Sequence, residues 1–315
     1  MSLTTHLADR TSPVRGYIHA CAPQLALAGG RGREGKEQAA AFGFNDVLTR
    51  GLTVPIPVEV ENRRSHAPIA GIAIDYRARM MLGPLDPSET VAARGVDRLA
   101  EYAHAVKNGE HRLRVLGEGF DLTAQLVRGQ SRADLDRASV LLAWCESVFR
   151  GFLEALTGSL GEQLDAASSG GDLLSQIPGL LLADMEALRR ACGPQIDAWN
   201  CQIAAGDEYA PNPTFEGSRL IGGADADWII GNTLIECKTV EKLSAPWLRE
   251  TLFQMLGYTI LDFEDRLGIR NVAIWLPRQA TLKSWSIDSL IGADAEKAMP
   301  ALRAGFVSNT SAGVH

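Results

Sequence analysis

The chain has 315 residues, 46% of them hydrophobic and 22% charged, with a formal net charge of −7. That length supports one large domain or two smaller ones, and the acidity excludes a globally basic nucleic-acid-coating protein while leaving room for a local basic patch. No run approaches the roughly 18 apolar residues of a membrane span, the opening MSLTTHLADR lacks a signal-peptide pattern, and five cysteines without a CxxC spacing argue against a zinc ribbon or disulfide framework, so a cytoplasmic protein with no membrane partner is expected.

Residues 1–65 show little periodicity. The stretch 28–36 (AGGRGREGK) reads as a basic Gly/Arg-rich loop. It begins like a phosphate-binding loop, but Glu37 stands where a Ser or Thr would meet Mg²⁺ and would repel phosphate. Residues 55–61 (PIPVEVE) read as a short strand. Helical patterns follow at 68–82, closed by Gly83-Pro84, at 91–107 and at 133–164, the last long and amphipathic. AASSGGD at 166–172 has linker composition, and 178–192 reads as a helix stopped by Gly193-Pro194. The first hundred residues hold 12 Lys/Arg against 10 Asp/Glu, so a basic surface is expected from the N-terminal third.

After Pro213 the pattern changes. Strands are predicted at 219–221, 224–230 and 233–240, a helix at 245–263, and strands at 271–276 and 282–287. This order implies an α/β or α+β core. The expected division is a mainly helical region over 1–170 that packs on the core and restricts access to it, the core over 171–292, and a C-terminal helix and tail over 293–315.

The segment 222–238, GGADADWIIGNTLIECK, carries the chemistry. Gly231-Asn232 suits a two-residue type II′ hairpin loop. That register sets Asp227 opposite Glu236 and Asp225 opposite Lys238, all four on one face. Opposed carboxylates in an apolar hairpin repel, and a shared proton, Lys238 or a divalent cation would relieve them. On this basis neutralising Asp227 should stabilise the metal-free protein. Oxygen ligands favour Mg²⁺ or Mn²⁺. The bland alternative is an exposed ladder of charges; a one-residue slip would place Asp227 and Glu236 on opposite faces.

Asp227, eight residues, then Glu236-Cys237-Lys238 resembles the PD-(D/E)XK nuclease motif, with Ala226 in place of the usual Pro. Gln254 and Tyr258 in the next helix resemble the QxxxY motif of the RecB-type and lambda-exonuclease-type branch. The resemblance covers about residues 175–290. It implies a restriction-endonuclease-like mixed sheet flanked by helices and metal-dependent phosphodiester hydrolysis. Asp227, Glu236 and the Cys237 carbonyl would be metal ligands, Lys238 would act on the attacking water and the phosphate, and Gln254 and Tyr258 would border the site. Asp225 would aid a second metal or hold Lys238. An upstream acidic ligand would come from Glu186 or Asp184; Gly71, Asp75 and Arg79 distantly echo the branch's Gly-x-x-x-His-x-x-x-Glu helix, with an Asp75–Arg79 salt bridge as the plain alternative.

Histidine is absent between 112 and 314, which excludes His-based hydrolases in the C-terminal half, and no cysteine follows Cys237, which argues against an iron–sulfur cluster. The expected activity is a Mg²⁺/Mn²⁺-dependent nuclease acting on nucleic acid, DNA ahead of RNA, as a homo-oligomer or within a complex. The alternatives are a catalytically silent nucleic-acid-binding or scaffold subunit, or an RNA-directed nuclease of a defence or repair complex.

Overall fold

The computed structural model describes residues 2–129 and 131–311; the last four residues of the expected C-terminal tail lie outside them. The protein is mixed α/β, with a largely helical N-terminal region and a five-stranded mixed sheet. Two compact units form: one contains residues up to 51, 201–238 and those from 242 onward, the other 52–200 and 239–241. The division therefore falls at 51/52 and 200/201, not at the glycine-rich stretch near 170.

The first unit opens with five short helices: α1 (Leu3–Ala8), α2 (Pro13–Cys21), α3 (Pro23–Leu27), α4 (Arg33–Ala41) and α5 (Asn45–Leu48). Pro13 and Pro23 each start a helix, where the missing N–H costs nothing. Only the front half of the Gly/Arg-rich stretch is loop: Gly29 and Gly32 take positive φ, and Arg33 already belongs to α4.

The second unit is helical: α6 (Arg63–Leu82), α7 (Val91–Tyr102), α8 (Gly109–Gly129), α9 (Arg132–Arg150), α10 (Phe152–Thr157), α11 (Ser159–Ala166), α12 (Gly170–Ser175) and all but the last four residues of α13 (Gly179–Ala204). Helix α9 is its axis, with Val140, Leu141, Leu142, Ala143, Cys145 and Val148 all buried. Four expectations fail here. Residues 55–61 form no strand, because Pro55 and Pro57 remove ladder donors. The helix expected over 133–164 breaks into three, at Gly151 and Gly158. The segment 166–172 is no linker: a Cβ on Gly170 would lie 2.2 Å from the Gly119 nitrogen, so the glycine permits tight packing of α12 on α8. Gly193-Pro194 does not stop α13, whose apolar stripe continues through buried Cys192, Ile196 and Trp199.

The first unit resumes with β1 (Tyr209–Pro211), β2 (Trp228–Ile230), β3 (Thr233–Cys237), α14 (Ala245–Leu261), β4 (Asn271–Leu276), β5 (Thr281–Ser286), α15 (Ile287–Ile291) and α16 (Ala295–Ser311). The strands lie in chain order, antiparallel except for β3 and β4, which are parallel. Parallel neighbours need a crossover, and α14 supplies it. Strand β1 is too short to show a sequence pattern, and residues 219–221 belong to a 3₁₀ turn (Glu216–Ile221), not a strand. Strand β2 starts at 228 and β3 stops at 237, each shorter than the expected 224–230 and 233–240. Leu234, Val272 and Ile274 share one face of the sheet and, like Leu248, Leu252 and Leu256 of α14, are fully buried. The N-terminal helices pack on the other side of α14, where Leu3 and Ile18 close over Gly257, and Trp285 Nε1 donates to the Phe42 carbonyl at 2.7 Å. Among the described residues no helix is long and apolar enough to cross a membrane.

Candidate active site

The hairpin forms in the expected register: Trp228 opposes Ile235, Ile229 opposes Leu234 and Ile230 opposes Thr233. Gly231 has φ +58° while Asn232 keeps a negative φ, as a type II′ loop requires. The ladder then ends. Asp227 and Asp225 are not paired across it with Glu236 and Lys238: the Asp227 carbonyl accepts from Asn212 N at 2.9 Å, and Asp225 bridges to Thr214. Past Trp228 the chain turns to the β1 side, while β3 pairs onward with β4, Lys238 N donating to the Trp275 carbonyl at 2.8 Å. The Asp227 side chain still returns to β3, where Oδ2 accepts the Cys237 N–H at 2.7 Å.

Glu236 and Lys238 share a face of the chain, two residues apart. The Lys238 ammonium lies 2.6 Å from Glu236 Oε1. Glu236 is 3% exposed, between β4 and the face of α14 that carries Gln254 and Tyr258. Gln254 Nε2 donates to Glu236 Oε1 at 3.3 Å and to the Tyr258 hydroxyl at 2.6 Å, and that hydroxyl donates to the Asp225 carbonyl at 2.7 Å. Tyr258 stacks on Phe215, with centroids 5.2 Å apart. One continuous network thus joins Asp225, Tyr258, Gln254, Glu236 and Lys238.

The electrostatics follow. Burial pulls the Lys238 ammonium down, but the Glu236 and Asp227 charges outweigh it and hold it above the ordinary lysine value. Burial raises the Tyr258 hydroxyl well above its usual value, and Glu236, Asp227 and Asp225 push it further. Three carboxylates therefore direct a negative field at one point beside β3.

Neither a protein-family model, nor a curated protein, nor a solved structure matches this chain.

The donor set itself bears on a metal. Among the described residues no three His, Cys, Asp or Glu side chains gather as a metal cage. The network offers instead two neighbouring carboxylates, Asp227 and Glu236, and the backbone beside Cys237. Mg²⁺ accepts such a set, because it keeps several waters and binds through one or two carboxylates. Asp225 enters through its carbonyl, and its carboxylate is exposed; Lys238 is held by Glu236, in place of the Asp225 partnership expected from the hairpin.

The upstream acidic residues belong to the second unit, and each has a partner there. Asp184 accepts His66 Nε2 at 2.8 Å, Glu186 pairs with Arg190 at 2.7 Å, and Asp75 pairs with Arg79 on α6. Sequence reading missed the residues that face Lys238 and Gln254 across an open cleft. Thr4 and Leu7 of α1, Arg10 in the following turn and Arg15 of α2 line it, with Trp247 and Arg249 of α14. The charge excess of the N-terminal third pointed to Arg10 and Arg15 alone among them.

Proposed function

We propose that the chain is a metal-dependent nuclease hydrolysing phosphodiester bonds in DNA, with a PD-(D/E)XK centre of the RecB/lambda-exonuclease type on a restriction-endonuclease-like core. The observation that carries this reading is the network in which Gln254 and Tyr258 of α14 close on the Glu236–Lys238 pair at the end of β3. A stability-driven sequence has little reason to bury a carboxylate, an ammonium, an amide and a phenol together beside an open cleft.

In this reading Asp227 and Glu236 would hold the ion, joined by the Cys237 carbonyl, and bound Mg²⁺ or Mn²⁺ would supply Lewis-acid polarisation of the phosphate and acidify a water. Lys238 orients the attacking water and offsets charge on the phosphate. The water oxygen adds to phosphorus and gives up a proton to solvent, and the leaving strand oxygen departs with the electrons of the broken P–O bond and takes up a proton from solvent. Gln254 restrains the Glu236 carboxylate, and Tyr258 ties α14 to the Asp225 backbone.

The test is incubation of the purified protein with labelled single- and double-stranded DNA and with RNA. Cleavage with Mg²⁺ or Mn²⁺, little with Ca²⁺, and none in EDTA or with Glu236→Ala is expected. Full cleavage in EDTA overturns the mechanism, and cleavage of RNA alone reassigns the substrate. A second reading, a catalytically silent scaffold or nucleic-acid-binding subunit, is favoured by the internal partners of both carboxylates: Cys237 N for Asp227, and Lys238 for Glu236. A scaffold shows no cleavage and no Mn²⁺-induced rise in melting temperature.

A further inference from the structure

The cleft beside Lys238 has a volume of about 580 Å³ and lies wholly in the first unit. Four cationic side chains line it, Arg10, Arg15, Arg249 and Lys238, against one carboxylate among the described lining residues, Glu250, with Glu236 behind Lys238. This is a local positive surface in a chain of net charge −7. It is also a built one. Glu250 Oε2 lies 3.0 Å from Arg15 Nη1, and Glu250 Oε1 lies 3.1 Å from Arg249 Nη2. Arg15 also donates to the Leu7 carbonyl, and Arg249 to the Ala28 carbonyl at 3.3 Å. One buttressing carboxylate therefore aligns two guanidinium groups, each with five N–H donors. Arg10 is exposed at the mouth. Trp247, half-buried in the first turn of α14, is the single aromatic among the described lining residues.

A track of guanidinium groups with one aromatic face is the chemistry that holds a nucleic-acid strand: the cations take phosphates and the indole stacks on a base. A base can stack on Trp247 only if it has left its own stack, which a duplex resists. We infer that the cleft binds a single-stranded DNA segment, its phosphates on Arg10, Arg15 and Arg249 and one base on Trp247, and feeds it toward Lys238. This rests on the nuclease reading for the identity of the ligand.

The test is fluorescence anisotropy in EDTA, which silences the metal centre, with a short fluorescein-labelled oligodeoxythymidylate and a duplex of equal length. The single strand is expected to bind tighter. Arg10→Ala alters an exposed side chain and should weaken binding several-fold, lowering the slope of log K against log salt by about 0.7, as loss of one phosphate contact to a single strand predicts. Trp247→Ala should weaken binding roughly tenfold, and Trp247→Phe, which keeps an aromatic face and guards against misfolding, should retain most of it. Tighter duplex binding, wild-type affinity in Trp247→Ala, or an unchanged salt slope in Arg10→Ala overturns the inference. Absence of cleavage by the wild-type protein that still binds the single strand overturns the nuclease reading alone; metal-dependent cleavage by the wild type with unaltered binding in these variants overturns the cleft alone.

Discussion

The Asp227 carboxylate accepts the N–H of the peptide that joins Glu236 to Cys237, at 2.7 Å. One charged side chain thus fixes the backbone beneath the second acidic residue of the site. The hairpin pattern alone implied the opposite relationship, two opposed carboxylates that repel. The bond to Cys237 reverses the sign of the expected effect. Asp227→Asn keeps an acceptor but loses its charge, and should cost about 1 kcal/mol in EDTA, the gap between charged and neutral hydrogen bonds. Paired denaturant melts measure it, and a variant at least as stable as wild type would mean that repulsion with Glu236 outweighs the bond. Under the nuclease reading Mn²⁺ widens the gap, because it stabilises only the protein that keeps both ligands.

Lys238 should matter differently for turnover and for stability. Lys238→Ala is expected to lose most cleavage while calorimetry still detects Mn²⁺ binding, since an ammonium is not a ligand; joint loss of both would refute that role.

The pH dependence of the Lys238–Glu236 pair follows from its chemistry. The Lys238 ammonium is held above the ordinary value of 10.5, so its contribution to stability is complete below that value and fades as pH rises through the higher folded value. Wild type should exceed Lys238→Met by about 2 kcal/mol at neutral pH, the cost of leaving buried Glu236 without its ammonium, moderated because the lysine is partly exposed. The difference should be flat from pH 7 to 9 and shrink only in strong alkali. A gap that closes near neutrality contradicts the ion pair.

Tyr258→Phe removes the hydroxyl that links Gln254 to the Asp225 carbonyl. The protein should stay folded, about 1–2 kcal/mol less stable, because a carbonyl loses its donor in a site that is 2% exposed at Tyr258. Gln254→Ala should also fold, and both variants should cleave DNA more slowly. Wild-type rates in both would reduce the Gln254–Tyr258 pair to packing.

Gly170→Ala tests whether the glycine-rich stretch is a hinge or a packing site. Its Cβ would meet backbone atoms of Gly119 and Glu118 that cannot swing away. A loss of about 2 kcal/mol is expected from overpacking, read from the urea midpoint. Unchanged stability would restore the linker reading.

Local periodicity made much of the site legible. Glu236 and Lys238 share a face because strand side chains alternate, Gln254 and Tyr258 because helical residues four apart align, and Gly231-Asn232 set the hairpin register through loop geometry. These relations depend only on backbone geometry between near neighbours. Punctuation was less dependable. Gly193-Pro194 failed to end α13 because buried Cys192, Ile196 and Trp199 outweighed one lost donor, and Gly170 signalled flexibility where it serves contact. Where the chain goes beyond a ladder's last pair, and which distant segment covers which face, has no local period. The turn of Asp227 toward β1, its grip on Cys237 N, the closing of Leu3 and Ile18 over Gly257, and the gathering of Arg10, Arg15 and Arg249 beside Lys238 join residues far apart in sequence. The sequence by itself determined the chemical groups and their local faces; only tertiary packing, which selects partners by burial and hydrogen-bond satisfaction across the whole core, decided what those faces meet.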